Sequence, residues 1–100
     1  PVSEHVIDYA VNLIRKTRPS EENDAFIRKY VRWGAGPRAA QYLIATAKTR
    51  AAIHGKPTPD EEDIDALILP VLQHRVLRTF AAEAEQVSIE AIIRHIVHKS

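Results

Sequence analysis

Residues 37–55 read PRAAQYLIATAKTRAAIHG, a stretch made almost entirely of good helix formers. Pro37 suits the first position of a helix, where its missing N–H is not needed, and Gly55 suits the position just beyond a helix end. The alanines between them would allow neighbouring helices to approach closely. The stretch therefore predicts a central helix against which the rest of the chain packs.

Helical periodicity continues on both sides of this central helix, in three further segments. The apolar residues that recur at helical spacing are Val6, Ile7, Ala10, Val11 and Ile14, then Ile64, Leu67, Ile68, Val71 and Leu72, and finally Ile89, Ile92, Ile93, Ile96 and Val97. Ser3 and Ser88 precede the first and last segments as candidate N-caps. No segment alternates as a half-buried strand would, so we predict an all-α fold, a small bundle of about four to five helices.

The start of the third helix carries the clearest local signal. Thr58 is predicted to cap it, Pro59 to take its first position, and Glu61 to complete a capping box. The four carboxylates of residues 60–63 then lie at the positive end of the helix dipole. Pro70 is expected either to kink this helix or to start a second short one.

Two segments remain open between alternatives. Residues 26–31 fit one or two helical turns or an extended piece, and residues 74–80 fit a helix end or an extended chain. Residues 19–24 are turn formers and charges, and predict a loop.

Composition limits what the chain can do. Its 100 residues suit one domain, and 14 Lys and Arg against 13 Asp and Glu give a net charge of +1, which argues against a strongly basic nucleic-acid binder. The absence of Cys excludes a disulfide scaffold, a thiolate metal site and a Cys nucleophile. No apolar run approaches the roughly 20 residues that cross a bilayer, so we expect a cytoplasmic domain without membrane contact.

The chain lacks the motifs of a self-contained enzyme. There is no G-x-x-x-x-G-K-[ST] loop and no G-x-G-x-x-G, and its three glycines are too few for a phosphate cradle. His95 and His98, three residues apart on one helix face, could share a metal, but no third ligand lies in register. We therefore expect no metal site there, and interpret the charges of residues 15–18 and 60–63 as helix-end electrostatics.

Arg38 is placed where a helix dipole disfavours a cation, in the first turn of the central helix. That placement makes sense if an anion is bound there, with Gly34 and Gly36 letting the backbone come close to it. The alternative is an exposed arginine, or one paired with an acid such as Glu61 or Glu83, and spacing alone favours this alternative.

The run from Tyr30 to Gln41, YVRWGAGPRAAQ, resembles the sequence that enters the lid of MoxR-type AAA+ ATPases. Four further segments resemble the same family in the same order: SEHVIDYA at 3–10, TPDEEDI at 58–64, LPVLQHR at 69–75 and AAEAE at 81–85. Singly these segments are weak signals, but together they cover nearly the whole chain.

The resemblance implies that residues 1–100 form one C-terminal helical lid, part of a longer ATPase whose nucleotide-binding core precedes residue 1. It makes Arg38 the sensor-2 residue, which reaches the γ-phosphate of ATP held between core and lid, with Gly34, Gly36 and Pro37 beside it. Many family members have Ser at the position of Gly36. ATP and Mg²⁺ are implied for the parent protein, and neither is expected to bind tightly to this chain alone.

The resemblance also implies partners. They are the core domain in cis, neighbouring subunits of a hexameric ring, and client or von Willebrand A-type proteins that such ATPases mature or remodel like chaperones. The alternative is a stand-alone binding module, such as a helix-turn-helix protein that contacts DNA through Arg38, Lys48 and Arg50. Near-neutral charge argues against it, and salt-dependent binding of duplex DNA would support it.

Overall fold

The computed structural model describes residues 2–20 and 22–98, which form six helices and one two-stranded antiparallel sheet. In chain order the elements are α1 (Glu4–Lys16), α2 (Ala25–Tyr30), β1 (Val31–Trp33), α3 (Pro37–Ile53), α4 (Glu61–Leu72), β2 (Leu77–Arg78), α5 (Phe80–Ala84) and α6 (Ile89–His98). The all-α prediction is confirmed, with the short sheet and a sixth helix added to it. Among these described helices none is long and apolar enough to cross a bilayer.

The core is built around α3, as its sequence predicts. This helix packs against α1 and α4, which also contact each other, and α6 packs against α1 and α4. Its buried side chains are Ala39, Ala40, Leu43, Ala47 and Ala51. Because four of these five are alanines, α1 and α4 can approach α3 closely and bury larger side chains of their own, including Leu13 and Ile64.

Most helix ends lie where the sequence predicts them. The Ser3 hydroxyl accepts a hydrogen bond from the Val6 N–H, and the Ser88 hydroxyl accepts one from the Ala91 N–H. Pro37 occupies the first position of α3. Gly55 follows the end of α3 with a φ of 74°, the left-handed conformation that favours glycine after a helix.

The predicted cap of α4 is wrong by two residues. Its N-cap is Asp60 rather than Thr58, and the capping box pairs Asp60 with Asp63 instead of using Glu61. The Asp60 carboxylate accepts from the Asp63 N–H, and the Asp63 carboxylate accepts from the Asp60 N–H at 2.9 Å. Pro70 lies inside α4, which continues to Leu72, so the alternative in which this proline starts a second helix is also wrong.

The two open segments have different structures. Residues 26–30 lie in α2, so the helical alternative is confirmed for that segment and only Val31 belongs to β1, whereas residues 74–80 supply a turn, β2 and the start of α5. Across the strands, Val31 faces Arg78 and Trp33 faces Leu77, with an irregularity between the two pairs. The strands have three and two residues, too few for an alternating pattern to appear in the sequence.

Candidate functional site

The loop that leads into α3 presents an open helix N-terminus. Gly36 is the N-cap residue and supplies no side-chain hydrogen bond, and the first turn contains no acidic residue. Arg38, the second residue of α3, is exposed to solvent at this end. The positive end of the helix dipole and a guanidinium group therefore lie together on the surface.

The position of this loop is fixed from the end of α1. The Thr17 side chain is fully buried, and its hydroxyl donates to the Ile14 carbonyl at 2.6 Å. The same hydroxyl accepts a hydrogen bond from the Ala35 N–H at 2.9 Å, and Ala35 itself is buried. This bond ties the loop to the C-terminal end of α1. The sequence does not single out Thr17, because it lies within the basic run 15–18, whose charges indicate only helix-end electrostatics.

The two glycines of the loop have different surroundings. A Cβ at Gly34 would lie 2.5 Å from the Thr17 carbonyl oxygen and 2.7 Å from the Arg18 Cα. The missing side chain at Gly34 therefore allows the loop to pack directly on the backbone at the C-terminal end of α1, at Thr17 and Arg18. A Cβ at Gly36 would have no atom within 4 Å, so the space in front of the helix N-terminus is open.

Arg38 does not have the acidic partners that the sequence offered as alternatives. Glu61 contacts the His5 ring, and Glu83 lies 3.8 Å from the Arg78 guanidinium. Within residues 2–20 and 22–98, no carboxylate forms an ion pair with Arg38. Of the two structural alternatives, pairing with Glu61 or Glu83 is wrong, and Arg38 is an exposed cation without an ion-pair partner among the described residues.

The charge cluster at the other end of α3 is structural. Asp63 is completely buried, and its carboxylate lies 2.5 Å from the Arg50 guanidinium and 2.7 Å from the Lys56 ammonium group. Burial alone would raise the pKa of Asp63, but bonds from Lys56, the Asp60 N–H and Arg50 outweigh it and hold that pKa well below its ordinary value. Arg50 is therefore not free to contact DNA as the helix-turn-helix alternative requires.

Comparison with known proteins decides what kind of domain has this geometry. Residues 23–96 match the family described as AAA lid domain. The chain belongs to this family.

The lid is similar to two further proteins, one of which is a MoxR protein, in agreement with the sequence resemblance. It is 33% identical over 95 residues to chaperone MoxR1 of Mycobacterium tuberculosis, a match that covers 92% of this chain and 25% of that protein. A solved structure of a protein from Cytophaga hutchinsonii, classed as an ATPase, superposes with a TM-score of 0.91 at 33% identity. That match covers 99% of this chain and 30% of the solved one, so the lid spans less than a third of these relatives.

The histidine pair of the lid does not converge on a common ligand set. His95 Nε2 lies 2.8 Å from the Asp24 carboxylate, and its ring stacks on Phe26 with centroids 4.1 Å apart. His98 is exposed at the end of α6. Over the described residues, no group of three His, Cys, Asp or Glu side chains could hold a metal. His95 instead links α6 to the start of α2, which Asp24 caps.

The basic end of α1 in the lid is capped by a residue that the sequence did not single out. The Asn23 side-chain amide donates to the Lys16 carbonyl at 3.0 Å and to the Arg18 carbonyl at 2.8 Å. The Lys16 carbonyl is among the last of α1, which have no partner within the helix, and the Arg18 carbonyl lies just beyond the helix end. Asn23 therefore holds the loop before α2 against α1, and an asparagine in a turn-rich loop was its only sequence signal.

Proposed function

We propose that this lid completes the ATP site of a MoxR-type AAA+ ATPase, with Arg38 as the sensor-2 residue that contacts the γ-phosphate. The observation that carries the proposal is the exposed guanidinium of Arg38 in the first turn of α3, which has no ion-pair partner in the part of the chain that the structure describes. The family membership and the greater length of the relatives support it, because they supply a context in which a phosphate would be brought to this point.

The chemistry of this end of α3 favours a phosphate. A cation in the first turn of a helix is unfavourable by about 0.3–1 kcal/mol when no anion is present. A bound anion makes this placement of the cation favourable, because the guanidinium group and the helix N–H groups then bind the anion together. Gly36 and Pro37, which have no long side chain, leave the approach to Arg38 open.

Arg38 would stabilise negative charge on the transferred phosphate and would form no covalent bond itself. Phosphoryl transfer depends mainly on positioning and on stabilising charge at the transferred group, and Mg²⁺ bound with ATP in the core domain would supply part of that stabilisation. Arg38 would supply another part from the lid side. Because Ala35 is bonded to Thr17, a shift of the loop before Arg38 is transmitted to α1. Nucleotide state would in this way be coupled to the orientation of the whole lid.

The proposal includes the setting of the parent protein. The parent protein would contain a nucleotide-binding core in cis with this lid, and neighbouring subunits would form a hexameric ring. In the cytoplasm it would mature or remodel client proteins as a chaperone does, von Willebrand A-type partners among them. The likeness to chaperone MoxR1 supports the chaperone-like role, and the greater length of both relatives supports a further domain in cis. The ring, the von Willebrand A-type partners and the location rest on the family resemblance of the sequence.

Replacing Arg38 by Ala in the full-length ATPase tests the proposal. We expect kcat to fall about 10²-fold, because a preorganised donor to developing charge is lost. ATP affinity, measured by titration with a fluorescent ATP analogue, should weaken by less than about tenfold, since the core supplies most of the binding contacts.

Lys48→Ala is the matched control. Lys48 is an exposed cation on the same helix, ten residues or about 15 Å further along it. Its removal changes net charge by the same amount and should leave kcat unchanged. Equal hydrolysis by the wild type and Arg38→Ala would refute the sensor-2 assignment.

A further inference from the structure

Arg75 lies just beyond the end of α4 and is held against the surface of α3. Its guanidinium group lies 4.8 Å from the centre of the Tyr42 ring, and one of its N–H groups donates to the Val71 carbonyl at 2.7 Å. Tyr42 is 51% exposed, and Arg75 is exposed as well. The ring and the carbonyl therefore fix the guanidinium group and leave most of its five N–H groups for a ligand.

These contacts place Arg75 at the same end of α3 as Arg38. At one end of the helix pair, Asp63 in the first turn of α4 contacts Arg50 in the last turn of α3. At the other end, Arg75 contacts Tyr42 in the second turn of α3, so the two helices run antiparallel. Tyr42 and Arg38 are four residues apart, a spacing at which side chains are neighbours on one helix face. Because helical side chains lean toward the N-terminus, Tyr42 lies over the turn that contains Arg38.

Acidic residues are absent from the segments that carry Arg38 and Arg75. Residues 25–59 contain no Asp or Glu and seven Lys or Arg, and residues 66–82 contain no Asp or Glu and two Arg. These ranges include the whole of α3, the loop before it and the second half of α4. Neither arginine forms an ion pair within the part of the chain that the structure describes. Two uncompensated cations on one surface suit an anion that carries more than one charge.

We infer that Arg75 is a second phosphate-binding residue of the lid, which contacts the β- or γ-phosphate of the ATP that Arg38 binds. The inference rests on the proposed function, which brings that ATP to the first turn of α3. About 6 Å along α3 separates Arg38 from Tyr42, which Arg75 contacts, so the two cations lie within reach of one phosphate chain. Guanidinium groups bind phosphate oxygens through charge-assisted hydrogen bonds, and the contact with Tyr42 would hold Arg75 ready to form them.

Competition binding to the full-length ATPase tests the inference. A fluorescent ADP analogue is displaced by ATPγS, ADP or AMP in the presence of Mg²⁺, in the wild type and in Arg75→Ala. We expect Arg75→Ala to weaken ATPγS binding at least about fivefold, because charge-assisted hydrogen bonds to phosphate are lost, and to change AMP affinity less than about twofold. An equal loss for ADP would assign Arg75 to the β-phosphate, and a loss confined to ATPγS would assign it to the γ-phosphate.

Tyr42 and Lys48 provide the matched variants. Tyr42→Phe keeps the ring beside the guanidinium group and should bind ATPγS as the wild type does. Tyr42→Ala removes the ring and should weaken ATPγS binding about two- to fivefold, because Arg75 is no longer held in place. Lys48→Ala removes an exposed cation six residues beyond Tyr42 on α3 and should leave all three affinities unchanged. Equal losses of ATPγS affinity in Lys48→Ala and Arg75→Ala would overturn the inference, because net charge alone would then explain them.

A purely structural role of Arg75 gives a different result. If Arg75 serves only to bond the Val71 carbonyl at the end of α4, Arg75→Ala weakens the binding of ATPγS, ADP and AMP equally or leaves all three unchanged. Either result would overturn the inference. The melting temperature checks folding, and Arg75→Gln, which retains a donor for the Val71 carbonyl, carries the same test with the same expected losses if Arg75→Ala is unstable.

The same measurements separate this inference from the proposed function. If Arg38→Ala lowers kcat while Arg75→Ala leaves ATPγS affinity unchanged, the sensor-2 role holds and the second phosphate contact is wrong. If Arg75→Ala weakens the binding of ATPγS but not of AMP while Arg38→Ala hydrolyses ATP normally, the contact of Arg75 holds and the sensor-2 role is wrong.

Discussion

Replacing Gly34 by Ala is expected to lower the free energy of unfolding of this chain by at least about 3 kcal/mol. The added Cβ would lie 2.5 Å from the Thr17 carbonyl oxygen and 2.7 Å from the Arg18 Cα. These are backbone atoms, which cannot rotate away as a flexible side chain would, so the loop must separate from α1. That movement would also break the buried bond from the Ala35 N–H to the Thr17 hydroxyl. Urea unfolding followed by circular dichroism measures the loss.

Gly36→Ala and Gly36→Ser are the controls for this prediction. A Cβ at Gly36 meets no atom within 4 Å, and the φ of −86° is one that any residue adopts. Ala should therefore change stability by less than about 1 kcal/mol, and Ser, a better N-cap, should raise it by a few tenths. A Gly34→Ala variant as stable as the wild type would mean that the loop does not pack against α1 this closely.

Replacing Asp63 by Asn is expected to cost roughly 2–4 kcal/mol of stability at pH 7. The carboxylate is fully buried and compensates two cations, Arg50 and Lys56, which would lose their common partner. It also closes the capping box of α4 with Asp60, so the change weakens the start of that helix. The side chains of Arg50 and Lys56 are 27% and 30% exposed, and their access to water keeps the cost below that of a fully buried pair.

Acid should reduce the difference between the wild type and Asp63→Asn. The pKa of Asp63 lies well below its ordinary value in the folded chain and near about 3.9 in the unfolded one, so its stabilising contribution is complete above about pH 5. As pH falls below about 4, the unfolded chain takes up a proton that the folded chain resists, and the contribution is lost. The difference between the urea midpoints of the two proteins should therefore shrink as pH falls from about 4 to about 2, without reaching zero, because the folded-state pKa of Asp63 lies lower still.

Glu62→Gln is the matched control for both Asp63 experiments. Glu62 is the neighbouring carboxylate in the first turn of α4 and is exposed. Its neutralisation removes the same charge at the same helix end, and should cost less than about 1 kcal/mol at pH 7. A loss equal to that of Asp63→Asn would mean that the ion pairs with Arg50 and Lys56 contribute nothing beyond the helix dipole.

The bundle could be predicted because its determinants are local. Pro37 and Gly55 mark the ends of the central helix, Ser3 caps the first, and apolar spacing marks each buried face. The cap of α4 could not be predicted in the same way. Thr58 and Asp60 are both good caps, and the choice depends on Asp63, which Arg50 of another helix holds in place.

The residues of the site also differ in whether their role depends on local sequence or on the fold. Arg38 attracts attention in the sequence because a cation in a first helical turn is locally unfavourable. Whether it is free could not be known, because pairing with Glu61 or Glu83 depends on where α4 and α5 lie in the fold. Thr17 escaped notice for the same reason, since its hydroxyl gains a role only when Ala35, eighteen residues away, packs beside it.

The central claim is that this chain is the lid of a larger ATPase, and top-down mass spectrometry of the native gene product tests it most directly. The experiment measures the intact mass and sequences the protein from both ends. We predict a chain more than three times the 11.3 kDa of this domain, in keeping with the relatives it matches, with a G-x-x-x-x-G-K-[ST] motif outside these 100 residues. A native product of about 11.3 kDa without that motif would contradict the claim, because no core in the same chain could then bring a phosphate to Arg38.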